Sequence, residues 1–137
     1  MGRFILFFIA AIFSGSVLAG WTQIGDFAAK TGGIDTGRGT KTFVLKDGID
    51  KIGDRSIMWT LRDYENPVKV GRKNHYSSRS LEEYDCKNLE YKTLSFYWYS
   101  EHKGEGDVVY TESPNSNMQP IIPNSLVHDA WKIACGK

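Results

Sequence analysis

Two cysteines, Cys86 and Cys135, stand in a chain that opens MGRFILFFIAAIFSGSVLA. These two features together constrain the fold more than any other part of the sequence. Arg3 gives a short positive start, Phe4 to Phe13 is an unbroken apolar run, and Val17-Leu18-Ala19 supplies a small-residue cleavage pattern. This is the layout of a secretory signal peptide, and the run is shorter than the ~20 residues a spanning helix needs. The expectation is cleavage after Ala19, leaving residues 20–137 as a single domain with one core. No cysteine follows the apolar run, so a lipid-anchored start is not expected. An exported chain with two cysteines most often pairs them, here Cys86 with Cys135. Closing a loop of about 50 residues contributes ~4 kcal/mol as a ceiling. A zinc site fits less well: His128 lies near Cys135, but a spacing of seven matches no usual ligand pattern. The redox motif Cys-x-x-Cys is absent.

The last residues explain why a cysteine stands so near the end. Asn124 or Ser125 is a helix cap, and Val127, Ala130, Trp131, Ala134 and Cys135 recur on one helical stripe. Gly136 is a left-handed terminator. Cys135 therefore lies on the buried side of a short helix and ties it to the body of the domain.

Between the leader and this helix the pattern is short β-runs separated by turn residues. Candidate strands cover residues 20–27, 40–46, 56–64, 77–86, 89–100 and 106–113, with Lys87-Asn88 as a tight turn. Alternation places Ile57, Trp59 and Leu61 on one face of the third run, with Thr60 and Arg62 on the other, and stops it before Asn66-Pro67. In the last long run it places Leu94, Phe96 and Trp98 on the face of Tyr84 and Cys86, under the helix. Tyr91, Tyr97 and Tyr99 fall on the opposite face. Residues 113–125, with three prolines, read as a loop. The fold class is α+β: a small antiparallel β-sheet of about five or six strands, covered by a C-terminal α-helix tethered by a disulfide.

Catalytic chemistry finds no foothold in these residues. Glu82, Glu83 and Asp85 cluster on one strand, but Glu83 and Asp85 alternate with Tyr84 and read as a solvated face. His75, His102 and His128 are scattered, and no metal or phosphate-binding motif occurs. No cofactor or metal is expected, and the chain reads as a non-enzyme. Of 17 basic residues, removal of the leader takes Arg3, leaving 16 against 16 acidic. Such a neutral chain has no global electrostatic attraction to nucleic acid or anionic lipid.

Five stretches in order carry a family resemblance: WTLRDY (59–64), YSSRSLEEYDC (76–86), YKTLSFYWYS (91–100), GEGDVVY (104–110) and PIIPNSLVHDAWKIAC (120–135). Together they resemble the surface-adhesin protein E-like family over roughly residues 21–135. The resemblance implies an antiparallel sheet with a disulfide-tethered C-terminal helix. It also implies an exported protein of a Gram-negative bacterium, in the periplasm or on the outer surface. It further implies binding of host extracellular-matrix or serum proteins, and a homodimer. No binding residue of the family is carried over to a position here.

The residues themselves offer one candidate partner surface, Tyr91, Tyr97 and Tyr99, because exposed tyrosines bury large area at low entropic cost. A host-protein adhesin is the first reading. The second is a periplasmic accessory or structural protein that binds another envelope component.

Overall fold

The strand-forming runs assemble into one antiparallel sheet. The computed structural model describes residues 20–27 and 39–137, so the expected signal peptide, residues 1–19, lies outside the described residues. The strands are β1 (Trp21–Phe27), β2 (Thr40–Leu45), β3 (Asp50–Ile52), β4 (Arg55–Val70), β5 (Lys73–Asp85), β6 (Glu90–Tyr99), β7 (Val108–Glu112) and β8 (Gln119–Pro120); helix α1 (Leu126–Cys135) follows. Among the described residues the sheet has 8 strands, ordered β1-β2-β4-β5-β6-β7, with β3 added to β4 and β8 to β6. The main path has the expected strand number. The two additions are 3 and 2 residues long, too short for alternation to show in sequence.

The β4–β5 hairpin is longer than expected. β4 continues through Asn66-Pro67 to Val70. The register jumps from Asp63 opposite Ser77 to Val68 opposite His75, so Pro67 lies in an irregular stretch. There its missing N–H breaks no ladder bond. At the other end of β5, the Asp85 carboxylate accepts the backbone N–H groups of Lys87 and Asn88 at 3.0 and 2.9 Å and so forms the expected turn.

Helix α1 is closed at both ends by its own sequence. The Ser125 hydroxyl accepts the His128 N–H. Gly136 adopts φ 68°, and the N–H groups of Gly136 and Lys137 return to the carbonyls of Ile133 and Lys132. Ala130 and Ala134 are buried, and their small size lets the helix approach Val44, Met58 and Tyr84. Leu126 sits over Gly25, where any Cβ would collide with it. The Trp131 indole donates to the Asp85 carbonyl at 2.7 Å. One turn on, Cys135 is bonded to Cys86, with Cα atoms 5.5 Å apart. A 10-residue helix is marginal by itself, so these ties keep it docked.

Both sheet faces are partly buried. Met58 and Leu61 are each 0% exposed yet point to opposite sides. Met58 and Thr60 face the helix, whereas Trp59 and Leu61 face away from it. This agrees with the expected alternation, which separates Trp59 and Leu61 from Thr60 and Arg62; the helix covers the side of Thr60 and Arg62. Alternation marks two faces, and here both carry apolar residues.

Cys86→Ser and Cys135→Ser should each lower stability by about 2–5 kcal/mol. Because the two share one bond, urea unfolding should give equal losses; clearly unequal losses would contradict a shared role.

Candidate functional site

The candidate surface is shaped by one extra residue in β6. Leu81 pairs with Ser95 but Glu82 pairs with Thr93, so Leu94 is the bulged residue. A bulge inverts which side chains point to which face. Tyr91 consequently stacks on Tyr84, ring centroids 6.4 Å apart, and packs against the core beneath the helix. Tyr97 and Tyr99 fall on the other side. The structure does not bring Tyr91 together with Tyr97 and Tyr99. Phe96 and Trp98, opposite Ser80 and Ser78, stay on the face of Tyr84 as expected and cluster there with Tyr110, at 5.8 and 4.8 Å. His75 stacks on Trp98 at 4.6 Å, with Tyr64 edge-on to it. Burial lowers the His75 pKa, against a backbone hydrogen bond to Val68, and so favours the neutral imidazole.

On the face away from the helix, Tyr97 and Tyr99 are joined by residues that the sequence reading did not single out. The Tyr97 ring lies 6.1 Å from Trp59. Arg79, the cross-strand partner of Tyr97, places its guanidinium 5.4 Å from the Tyr99 ring and 5.7 Å from the Trp21 ring. A cation between two aromatic faces is held by their quadrupoles. The chain reaches Trp21 only by tertiary contact, so no local spacing announces this clamp.

A tight turn, His102–Gly104, supports the clamp. Asp63 accepts the Lys103 N–H at 2.9 Å and lies 3.0 Å from His102 Nδ1. The Ser77 hydroxyl accepts the Gly104 N–H at 2.8 Å. Gly104 has φ 70° and lies so close to the Arg79 Nε that a Cβ would strike it. That nitrogen is buried without a hydrogen-bond partner. Among the described residues, no carboxylate lies within ion-pair distance of Arg79. Arginine, tryptophan and tyrosine are the residue types that dominate protein-protein hot spots. The arrangement is suited to recognition.

The carboxylates divide by environment. Glu83 is paired with Arg55 and Lys92, both at 3.4 Å. Hydrogen bonds from Asn88, foremost its backbone N–H, hold Asp85 below the usual carboxylate range. Asp85, at 8% exposed, departs from the expected solvated face, and Glu82 is buried as well. Glu82, also 8% exposed, lies beneath the helix and accepts the Thr93 hydroxyl at 2.7 Å. It lines a cavity of about 30 Å³ with Arg62, Thr60 and Tyr84, room for a water molecule and too small for a larger ligand. Burial pushes its pKa up, against the Thr93 hydrogen bond and the Arg62 charge. Among the described residues, no group of three or more His, Cys, Asp or Glu side chains is placed to hold a metal ion. Among them, too, no helix is long and apolar enough to cross a membrane.

An open antiparallel sheet carrying a helix clasped to it by a disulfide defines a small sheet-and-helix domain with one face free of the helix. The chain belongs to the surface-adhesin protein E family, whose model matches residues 21–136. The fold is similar to that of crystal form II of Haemophilus influenzae protein E, with a TM-score of 0.56 at 14% identity; the match covers 69% of this chain and 80% of that chain. Protein E from non-typeable Haemophilus influenzae aligns with a TM-score of 0.54 at 12% identity, over 85% of this chain and 84% of that one. At these identities the likeness is one of fold. No curated protein matches the chain.

Because Glu82 binds its proton more tightly in the folded state, its contribution to stability is present at low pH. It is lost as pH rises from the ordinary carboxylate range through its raised value. Glu82→Gln removes that loss while keeping an acceptor for Thr93. In urea unfolding at a series of pH values from acid to neutral, the variant should gain on the native chain as pH rises. Parallel curves would contradict the raised pKa.

Proposed function

We propose that this chain is an exported, non-enzymatic adhesin that binds host extracellular-matrix or serum proteins through the face opposite its helix. The observation that carries this reading is the clamp of Arg79 between Trp21 and Tyr99, flanked by Tyr97 and Trp59. A guanidinium held between rings has already lost much of its rotational freedom, so a partner carboxylate meets a preorganised donor. The half-buried tyrosines add rigid contact area. The three-strand ladder β4-β5-β6 beneath them fixes their spacing. Membership of the surface-adhesin protein E family supports placement on the outer surface.

A homodimer is a separate proposal. β7 ends the strand path and exposes Val108 and Tyr110, at 48% and 40%. An edge of this kind pairs readily with a second copy.

The double variant Tyr97→Ala with Tyr99→Ala should weaken binding to immobilised basement-membrane extract or serum proteins by about tenfold or more, the loss of roughly 1.4 kcal/mol or above. Circular dichroism should show the fold intact. Unchanged binding by a folded variant would remove this face from the reading. Light scattering on the same samples reads the mass: a dimer that survives the double variant is consistent with pairing at β7.

A further inference from the structure

A second site stands at the disulfide, on residues that the tyrosine face does not use. Lys51, Lys87 and Lys137 come from β3, from the turn after β5 and from beyond the helix, yet they line one open groove. Its walls include Gly53, Asp54 and Ser56, and the bonded Cys86 and Cys135 form part of its lining. The groove has a volume of about 600 Å³, within the usual range for ligand sites. All three lysines are exposed. Among the described residues, none has a carboxylate within ion-pair distance. Among the side chains of the lining, three ammonium groups stand against the one carboxylate of Asp54, in a chain that is neutral once its leader is removed.

The lysines are placed rather than scattered. The Lys51 ammonium lies beside Gly136, 3.3 Å from where a Cβ would stand. The Lys137 ammonium rests 5.5 Å from the centre of the Trp131 ring. The carbonyls of Lys132 and Ile133, which would otherwise oppose an anion here, accept the N–H groups of Lys137 and Gly136. The disulfide assembles the group, since it brings the segment of Lys137 against that of Lys87.

We infer that this groove binds a sulfated glycan chain, its three ammonium groups receiving sulfate esters. Ammonium groups act as point charges and suit tetrahedral oxyanions, whereas planar carboxylates favour the guanidinium fork that this groove lacks. A chain with repeated sulfates offers a separate anionic group to each of the three lysines that line this open groove, which a compact single anion does not. The choice of a sulfated over a phosphorylated saccharide rests on the outward-facing reading above.

The test is calorimetric titration of the oxidised chain with a heparin-derived octasaccharide, with its desulfated form, and with a phosphorylated glucosamine disaccharide. The sulfated saccharide should bind, and binding should weaken steeply between about 50 and 200 mM salt. Lys51→Ala, Lys87→Ala and Lys137→Ala together should weaken it by roughly tenfold or more. A charge-matched control, Lys69→Ala, Arg72→Ala and Lys73→Ala at the far hairpin tip, should bind as the native chain does. No binding of the octasaccharide, equal loss in both triple variants, equal binding of the desulfated form, or tighter binding of the phosphorylated disaccharide would overturn the inference. Tyr97→Ala with Tyr99→Ala, run in parallel, should retain octasaccharide binding, so failure of the groove and failure of the tyrosine face read out separately.

Discussion

The clasp between the end of β5 and the end of α1 holds the rest of the domain in place. It consists of the Cys86–Cys135 bond and, one turn earlier, the Trp131 hydrogen bond to Asp85. Both contacts converge on a turn that Asp85 itself stabilises. Without them, a helix of three turns must hold its place by the burial of Ala130, Ala134 and their apolar neighbours alone. With them, Val44, Met58 and Tyr84 are sealed from water beneath the helix. The other face buries Leu61 but leaves Trp59, Tyr97 and Tyr99 half-buried and available for contact. Division of labour between the two sides follows from where the covalent tie is made.

The bulge at Leu94 is the second determinant. By shifting the alternation of β6 it sends Tyr91 inward and Tyr97 and Tyr99 outward. One strand thereby serves the core at its start and the recognition face at its end. Beyond the bulge, Phe96 and Trp98 keep to the face of Tyr84, in a packed aromatic group with His75 and Tyr110. A purely regular strand of this sequence would place all three tyrosines on one side.

Features governed by local chemistry were legible in the sequence. The helix, its Ser125 cap, its Gly136 terminator and the six main strands follow from period, capping and turn residues. The disulfide follows from export and cysteine count. Features decided by tertiary pairing were not legible. Pro67 reads as a strand stop because its neighbourhood cannot reveal that the register slips there. The burial of Glu82 does not show in the sequence because its Thr93 partner and the covering helix are distant in the chain. The Arg79 clamp joins β1, β5 and β6, and no spacing rule connects Trp21 to Tyr99. Two tyrosines of the candidate surface could be placed from the sequence; the cation that organises them could not.

Membership of the surface-adhesin protein E family fits an exported protein, and the helix-free face, with its aromatic and arginine residues, suits recognition. Location decides whether that face can ever meet a host protein. Protease shaving of intact cells, with mass spectrometry of the released peptides and a periplasmic control, measures it directly. The account predicts peptides from residues 20–137 while the periplasmic control stays uncut. Peptides that appear only after the outer membrane is opened would contradict it and leave a periplasmic protein whose fold is that of an adhesin.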